Sequence, residues 1–339
     1  MKKVLLIGGA GFIGHNLAVE LNRKEFEVSI ADSFSVNNVI PTIIIEDLWR
    51  RDLYNKFLRD RIDLLMSNNI PIYLCDARNY NDLSFIINKK VKPDVVIHLA
   101  AVSHANRSNK DPYSTFDHSL KTLENALDSS INGVVKHFIY FSSSMVYGDF
   151  PVYMGINGGQ GRIVNEESPT EPRGIYGVLK LAGEKIVKVH GDMYSLPYTI
   201  IRPSALYGER CISGRVVQKF IELAIKGENL LVSGSMDEML DFTYIDDLVS
   251  GICLAICKDK AYGEIFNLTY GEGRTLFDLI NILDKEVGVA VTYGERDKDM
   301  SIRGTLSISK AKKILGYSPK YSIEAGVKKY IEWYRGQIK

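Results

Sequence analysis

The feature that most constrains this chain is its opening: Val4-Leu5-Leu6-Ile7, then Gly8-Gly9-Ala10-Gly11-Phe12-Ile13-Gly14. A short continuous apolar run is the pattern of a strand buried on both faces of a parallel sheet. Glycines at 8, 11 and 14 leave no side chains at the turn, so the backbone can come close to a pyrophosphate seated on the N–H groups of the following helix. An amphipathic stretch from Ile13 to Arg23 and a second apolar strand, Val28 to Ala31, complete one right-handed crossover ending at Asp32. A carboxylate there accepts from both ribose hydroxyls and repels a 2′-phosphate, which predicts NAD rather than NADP.

Further apolar runs at Ile72–Leu74, Val95–His98 and Phe138–Phe141 alternate with helical stretches, which specifies a doubly wound α/β sheet. Between Ser33 and Asn69 the connection is long, and its charged, helically periodic part from Glu46 to Met66 predicts an inserted helix over the cofactor half. Phe150 to Gly161 is glycine-rich and follows the fifth strand, where ligand sites are built; a mobile flap is expected. The 339 residues exceed what one core usually spans, so two lobes are expected: 1–202, receiving a strand-helix unit from about 241–257, and a mainly substrate-binding 203–339. Apolar periodicity from Val216 to Ile225 starts the second lobe.

A second constellation carries chemistry. Tyr176 and Lys180 stand four apart on a predicted helix and therefore share one face. Ser142-Ser143-Ser144 falls at the end of the fifth strand, where the hydroxyls are expected to face the nicotinamide.

With 42 Lys and Arg against 41 Asp and Glu, the net charge of +1 supplies no electrostatic drive toward nucleic acid or an anionic membrane. A small-molecule partner is expected. Cys75, Cys211, Cys253 and Cys257 are scattered, with the last two at helical spacing among apolar neighbours; they predict core thiols in a reducing compartment and no metal site. The first apolar run stops after four residues, too short for a signal core or a membrane span, and a cytoplasmic location is expected.

Taken together these motifs resemble the extended short-chain dehydrogenase/reductase family, and within it the nucleotide-sugar epimerase/dehydratase group. The likeness also covers CDAR at 75–78, HLAAVSHANRS at 98–108, SSSMVYG at 142–148, YGVLK at 176–180, IRPSALYG at 201–208, DFTYIDDL at 241–248 and SKAKKILGYSP at 309–319. It implies a Rossmann-type fold with a smaller C-terminal substrate-binding lobe, tightly bound NAD, a nucleotide-diphosphate sugar substrate, and a homodimer paired through 112–132 and 174–190. It also implies a Ser143-Tyr176-Lys180 site in which Ser143 orients the sugar hydroxyl and Tyr176 takes its proton. A free phenol has a pKa near 10, so base action near neutrality needs a shift of about 3 units, roughly 4 kcal/mol. The Lys180 ammonium and the charged nicotinamide are expected to supply it.

By the same resemblance the cofactor is lined by Gly8, Gly11, Phe12, Ile13, Gly14, Asp32, Asp76, Ala77, Arg78, Leu99, Ala100, Ala101, Ser103, Ser142 and Pro203, besides Tyr176 and Lys180. Ser103, Ser108, Ser143, Ser144, Tyr176, Arg215 and Arg296 are implied at the substrate. Dehydratases and decarboxylases of the group carry a carboxylate just after the catalytic hydroxyl, where Ser144 and Met145 stand here. Elimination is therefore disfavoured unless Glu166 or Glu167 enters the site, and a 4-epimerase is the leading expectation. A nucleotide-sugar 4-dehydrogenase or ketoreductase is the nearest rival, and an idle NAD-binding sensor is a third reading. Two positions depart from the family pattern: His118 replaces an asparagine, and Leu240 replaces a phosphate-binding arginine for which Arg215 or Arg296 could compensate.

Overall fold

The computed structural model describes residues 1–36, 38–102, 105–131, 133–154, 160–295 and 301–338. Seven parallel strands form the central sheet: β1 (Lys3–Ile7), β2 (Glu27–Asp32), β3 (Ile72–Leu74), β4 (Val95–His98), β5 (His137–Phe141), β6 (Tyr198–Arg202) and β7 (Glu264–Asn267). Their spatial order is β7-β6-β5-β4-β1-β2-β3, so the direction of winding reverses between β1 and β4. That reversal opens a crevice at the carboxyl ends of these two strands. The expected doubly wound sheet is thus observed.

Strand alternation explains why both faces are apolar. Val4 and Leu6 enter one core with Val28, Ile30, Val95 and Ile97, while Leu5 and Ile7 enter the opposite core with Ala31, Val96 and Phe138. Helix α1 (Phe12–Arg23) covers the first face, and the inserted segment forms helix α2 (Leu48–Ser67) beside it. Asp47 starts α2 by accepting from the Arg50 amide, a side-chain cap for one otherwise unpaired N–H. Helix α3 (Gly174–Tyr194) belongs to the opposite face, where Val187 packs with Leu123, Phe138 and Ile200.

The second part of the chain corrects one expectation. Helix α5 (Ile245–Ala255), which follows α4 (Val216–Lys226), packs on α1 as a returning unit should. Its preceding strand does not join the sheet: Thr243–Tyr244 pairs with Leu206–Tyr207 as a separate two-stranded ribbon. The sheet is instead extended by β7, in register with β6 from Glu264↔Thr199 to Asn267↔Arg202. Four residues after a glycine turn carry too little periodicity to declare a strand, and only the open edge of β6 recruits them. One apolar core runs from β1 through α4 and α5 to Tyr330 and Tyr334, so the two expected lobes share their interior.

The cysteine reading changes in a detail. All four thiols are free, with Cys75 and Cys211 buried and Cys253 and Cys257 half-buried. Helix α5 ends before Cys257, whose φ of 53° breaks the helical pairing with Cys253. The expected flap is flanked by a two-residue antiparallel pairing of Tyr153–Met154 with Gln160–Gly161; its tip, 155–159, lies outside the described residues.

Phe266 in β7 is fully buried. Phe266→Ala is expected to cost about 3–5 kcal/mol by leaving a cavity under the edge of the sheet. Urea unfolding read by circular dichroism checks this, and an unshifted midpoint would mean that β7 contributes nothing to the core.

Candidate active site

At the switch point the glycine turn is packed against the chain that leaves β4. A Cβ on Gly8 would stand 2.7 Å from the Ala100 amide nitrogen, and Gly8 has φ +80°, a conformation that favours glycine. A Cβ on Gly14 would run into the Gly9 backbone, so only glycine lets α1 start this close to the turn. Asp32, at the end of β2, accepts from the Ala10 amide at 2.9 Å and the Phe34 amide at 2.7 Å. Burial pushes its carboxyl upward, and those two N–H groups oppose the shift.

Gly8, Gly11, Phe12, Ile13, Gly14 and Asp32 line one cleft with Asp76, Ala77, Leu99, Ala100 and Ala101. A bare glycine cradle, a ribose-sized carboxylate position and a helix N-terminus together fit a dinucleotide, with adenosine on the Asp32 and Asp76 side. Arg78, expected here, does not line the cleft. It is committed to Asp76 at 2.6 Å and to Asp117 at 2.7 Å, and the bond to Arg78 holds the Asp76 carboxyl below its usual range. Ser103 and Arg296 lie outside the described residues.

The residues expected to be catalytic come from the turn after β5 and from α3. Ser143, 8% exposed, caps a tight turn over Ser144–Tyr147, its hydroxyl accepting from the Met145 amide at 3.2 Å. Gly177 lets α3 press on this turn, since a Cβ there would lie 2.7 Å from the Met145 carbonyl. Tyr176, the residue before that contact, is half-buried. Lys180 is buried one turn on, its Nζ 6.0 Å from the centre of the Tyr176 ring, and donates to the Phe141 carbonyl at 2.6 Å. Burial pushes the Lys180 ammonium down to about 8, opposed by the carboxylate of Glu184. His98, buried nearby, is pushed to about 3 by burial and then by Lys180, so it is neutral.

Several expected contacts fall elsewhere. Ser142 does not face the cleft; its hydroxyl donates to Glu184 at 2.5 Å. Pro203 lies outside the cleft lining and holds the serine turn instead, its carbonyl accepting from the Ser144 amide at 3.0 Å. Ser144 is itself buried in that turn, and Ser108 is fully buried in the helix Ala105–Lys110; neither lines a cavity described here. Arg215 lines the dinucleotide cleft, while its neighbours Gly214 and Val216 line a second cavity of about 630 Å³.

That second cavity holds Leu240, Arg162, Lys219 and Arg303. Arg303 carries no family motif and escapes sequence reading. Burial pushes its guanidinium down to about 10, with Arg215 adding to the shift and Tyr176 opposing it, so the three side chains share one electrostatic neighbourhood. His118 also lines the dinucleotide cleft.

Beneath the serine turn lies a network that the sequence announces only by spacing. Glu184 follows Lys180 by one further helical turn and binds Arg202 in two bonds, at 2.8 and 2.6 Å. Arg202 also donates to the Tyr147 hydroxyl at 2.9 Å, and Tyr147 to Asn267 at 2.7 Å. The Asn267 amide in turn donates to Glu166 at 2.8 Å. Arg202 is therefore structural in its contacts. Among the described residues no helix is long and apolar enough to cross a membrane, and no cluster of metal-ligating side chains occurs.

A parallel sheet with a dinucleotide crevice at its switch point and a Ser-Tyr-Lys face beside it defines the extended short-chain dehydrogenase/reductase class of enzyme. Residues 4–269 match the model of the NAD dependent epimerase/dehydratase family, and the chain belongs to that family. An uncharacterised UDP-glucose epimerase of Bacillus subtilis is 29% identical over 96% of this chain and 95% of its own length. The dTDP-D-glucose 4,6-dehydratase of Mus musculus is 26% identical over 98% of this chain and 89% of its own. The crystal structure of a UDP-glucuronic acid 4-epimerase from Bacillus cereus, in complex with UDP-glucuronic acid and NAD, superimposes with a TM-score of 0.85 at 26% identity, covering 98% of this chain and 99% of that one.

The depressed Lys180 fixes a sign. The unfolded chain keeps that proton to near 10.5 while the folded, cofactor-free protein releases it at about 8. Folded protein thus binds fewer protons across this window, and stability gains from this group as pH rises through it. Lys180→Met is expected to remove that gain, read as the difference in urea midpoint between wild type and variant from about pH 7 to 10. Parallel curves would show that Lys180 does not titrate there.

Proposed function

We propose that this enzyme is a nucleotide-sugar 4-epimerase with Tyr176 as its base. The observation that supports this reading is the packing of α3 on the turn that carries Ser143, through Gly177, with buried Lys180 one helical turn beyond Tyr176 and its Nζ 6.0 Å from that ring. Ser143 holds the sugar hydroxyl, and Tyr176 accepts its proton as the carbon bearing it is oxidised. Lys180 places a positive charge on the same helical face as the phenol, 6.0 Å from its ring centre. NAD, when bound, accepts a hydride from the sugar and returns it. Turning of the keto sugar within the cavity of about 630 Å³ exposes its other face. Tyr176 then gives the proton back, so no external oxidant is consumed.

Elimination lacks its acid. Ser144 and Met145 carry no carboxyl group, Glu166 is bound to the Asn267 amide, and exposed Glu167 pairs with Lys310 at 3.8 Å. Arg303 and Lys219 suit the diphosphate, and Arg303 offsets the arginine missing at Leu240. The likeness to the UDP-glucuronic acid and UDP-glucose epimerases supports a uridine nucleotide sugar.

Purified protein incubated with nucleotide sugars is expected to form the 4-epimer without accumulating reduced nicotinamide. Accumulation of reduced cofactor with no epimer would instead identify a 4-dehydrogenase. Tyr176→Phe is expected to keep the fold and the cofactor while lowering kcat by at least about a hundredfold. Full activity in that variant would remove Tyr176 from the mechanism.

We further propose a cytoplasmic homodimer. Tyr113, Phe116, Val178, Val189 and Met193 stand exposed on the adjacent helices Pro112–Phe116 and α3, an apolar face suited to a second copy. Val189→Glu with Met193→Glu should give monomers in sedimentation velocity, whereas unchanged dimers would place the interface elsewhere.

A further inference from the structure

Within the dinucleotide crevice one buried cation lacks an anion. Arg61, on the inserted helix α2, is 1% exposed and lines the cleft together with Gly11, Gly14 and Asp32. Its Nε donates to the Arg210 carbonyl at 3.1 Å, and its Nη2 donates to the same oxygen. Its Nη1 is buried and has no hydrogen-bond partner among the described residues.

The surroundings do not neutralise this charge. Asp32 is close enough to favour the Arg61 cation, yet the Asp32 carboxylate is already shared between the Ala10 and Phe34 amides. Arg210 adds a second positive charge; its guanidinium bonds His15, and His15 bonds the Gly11 carbonyl at 2.9 Å. That chain of contacts sets Arg61 beside the start of α1. Burial pushes Arg61 only to about 10, so it stays charged at neutral pH. A desolvated guanidinium whose one acceptor among the described residues is a carbonyl, next to another cation, is costly unless an anion joins it.

We propose that Arg61 is the cofactor's anion clamp: its Nη1, unpartnered among the described residues, would donate to the NAD pyrophosphate. The inserted helix then does more than cover the adenosine half. It delivers a charge-assisted bond that the glycine turn cannot make, and through the Arg210 carbonyl it ties cofactor retention to the segment carrying Arg215.

Arg61→Met fills a similar volume without donors. Calorimetric titration of cofactor-stripped full-length protein is expected to show NAD and ADP-ribose binding weakened by about tenfold or more, with adenosine changed by less than about twofold. NAD recovered from the purified variant should fall in parallel. Unchanged NAD affinity with a lowered melting temperature of the stripped protein would overturn the proposal, because Arg61 would then serve only the fold. Equal loss of adenosine binding would also overturn it, placing the residue at the ribose. Arg61→Gln keeps an amide donor and removes the charge together with Nη1; it covers the case in which the methionine variant does not fold, and wild-type NAD affinity in it sinks the clamp.

Discussion

The buried pair of Glu184 and Arg202 is the interaction on which the site depends. Neither charge reaches water, and each is satisfied by the other and by neighbours drawn from different elements. Glu184 holds α3 and, through Ser142, the end of β5; Arg202 ends β6 and grips Tyr147, which reaches Asn267 at the end of β7. Removing one partner would strand the other charge in a dry interior, which costs about 3–5 kcal/mol, so the four elements are locked to one another. Ser143 and Lys180 sit directly on this lock. The network's Ser142, Tyr147, Glu184 and Arg202 lie outside the lining of the dinucleotide cleft.

Above the lock, glycine decides how closely backbones approach. Gly8 brings the first turn onto Ala100 and Gly177 brings α3 onto the serine turn, in each case because a single carbon would collide with main chain. The dinucleotide crevice and the Tyr176 face are products of the same device used twice. Charge then divides the space. The dinucleotide cleft carries Asp32 and Asp76 at its adenosine end and Arg61 and Arg215 elsewhere, whereas the larger cavity carries Lys219 and Arg303 against Asp237 and Glu238.

Local period and motif encode the apolar runs of β1 to β5, the glycine turn, the strand ending in Asp32, and a Tyr-Lys pair on one helical face. These follow from neighbours in the chain, so no contact map is needed to read them. Tertiary structure decided the rest. Strand β7 exists because β6 offers an open edge, and Thr243–Tyr244 is diverted to Leu206–Tyr207 because that partner lies nearer. Ser142 turns from the cleft to Glu184 because a buried carboxylate needs donors. Arg61 and Arg303 are invisible in the sequence because a cation in a charged helix or an unmarked loop gains meaning only when folding buries it in a cavity wall.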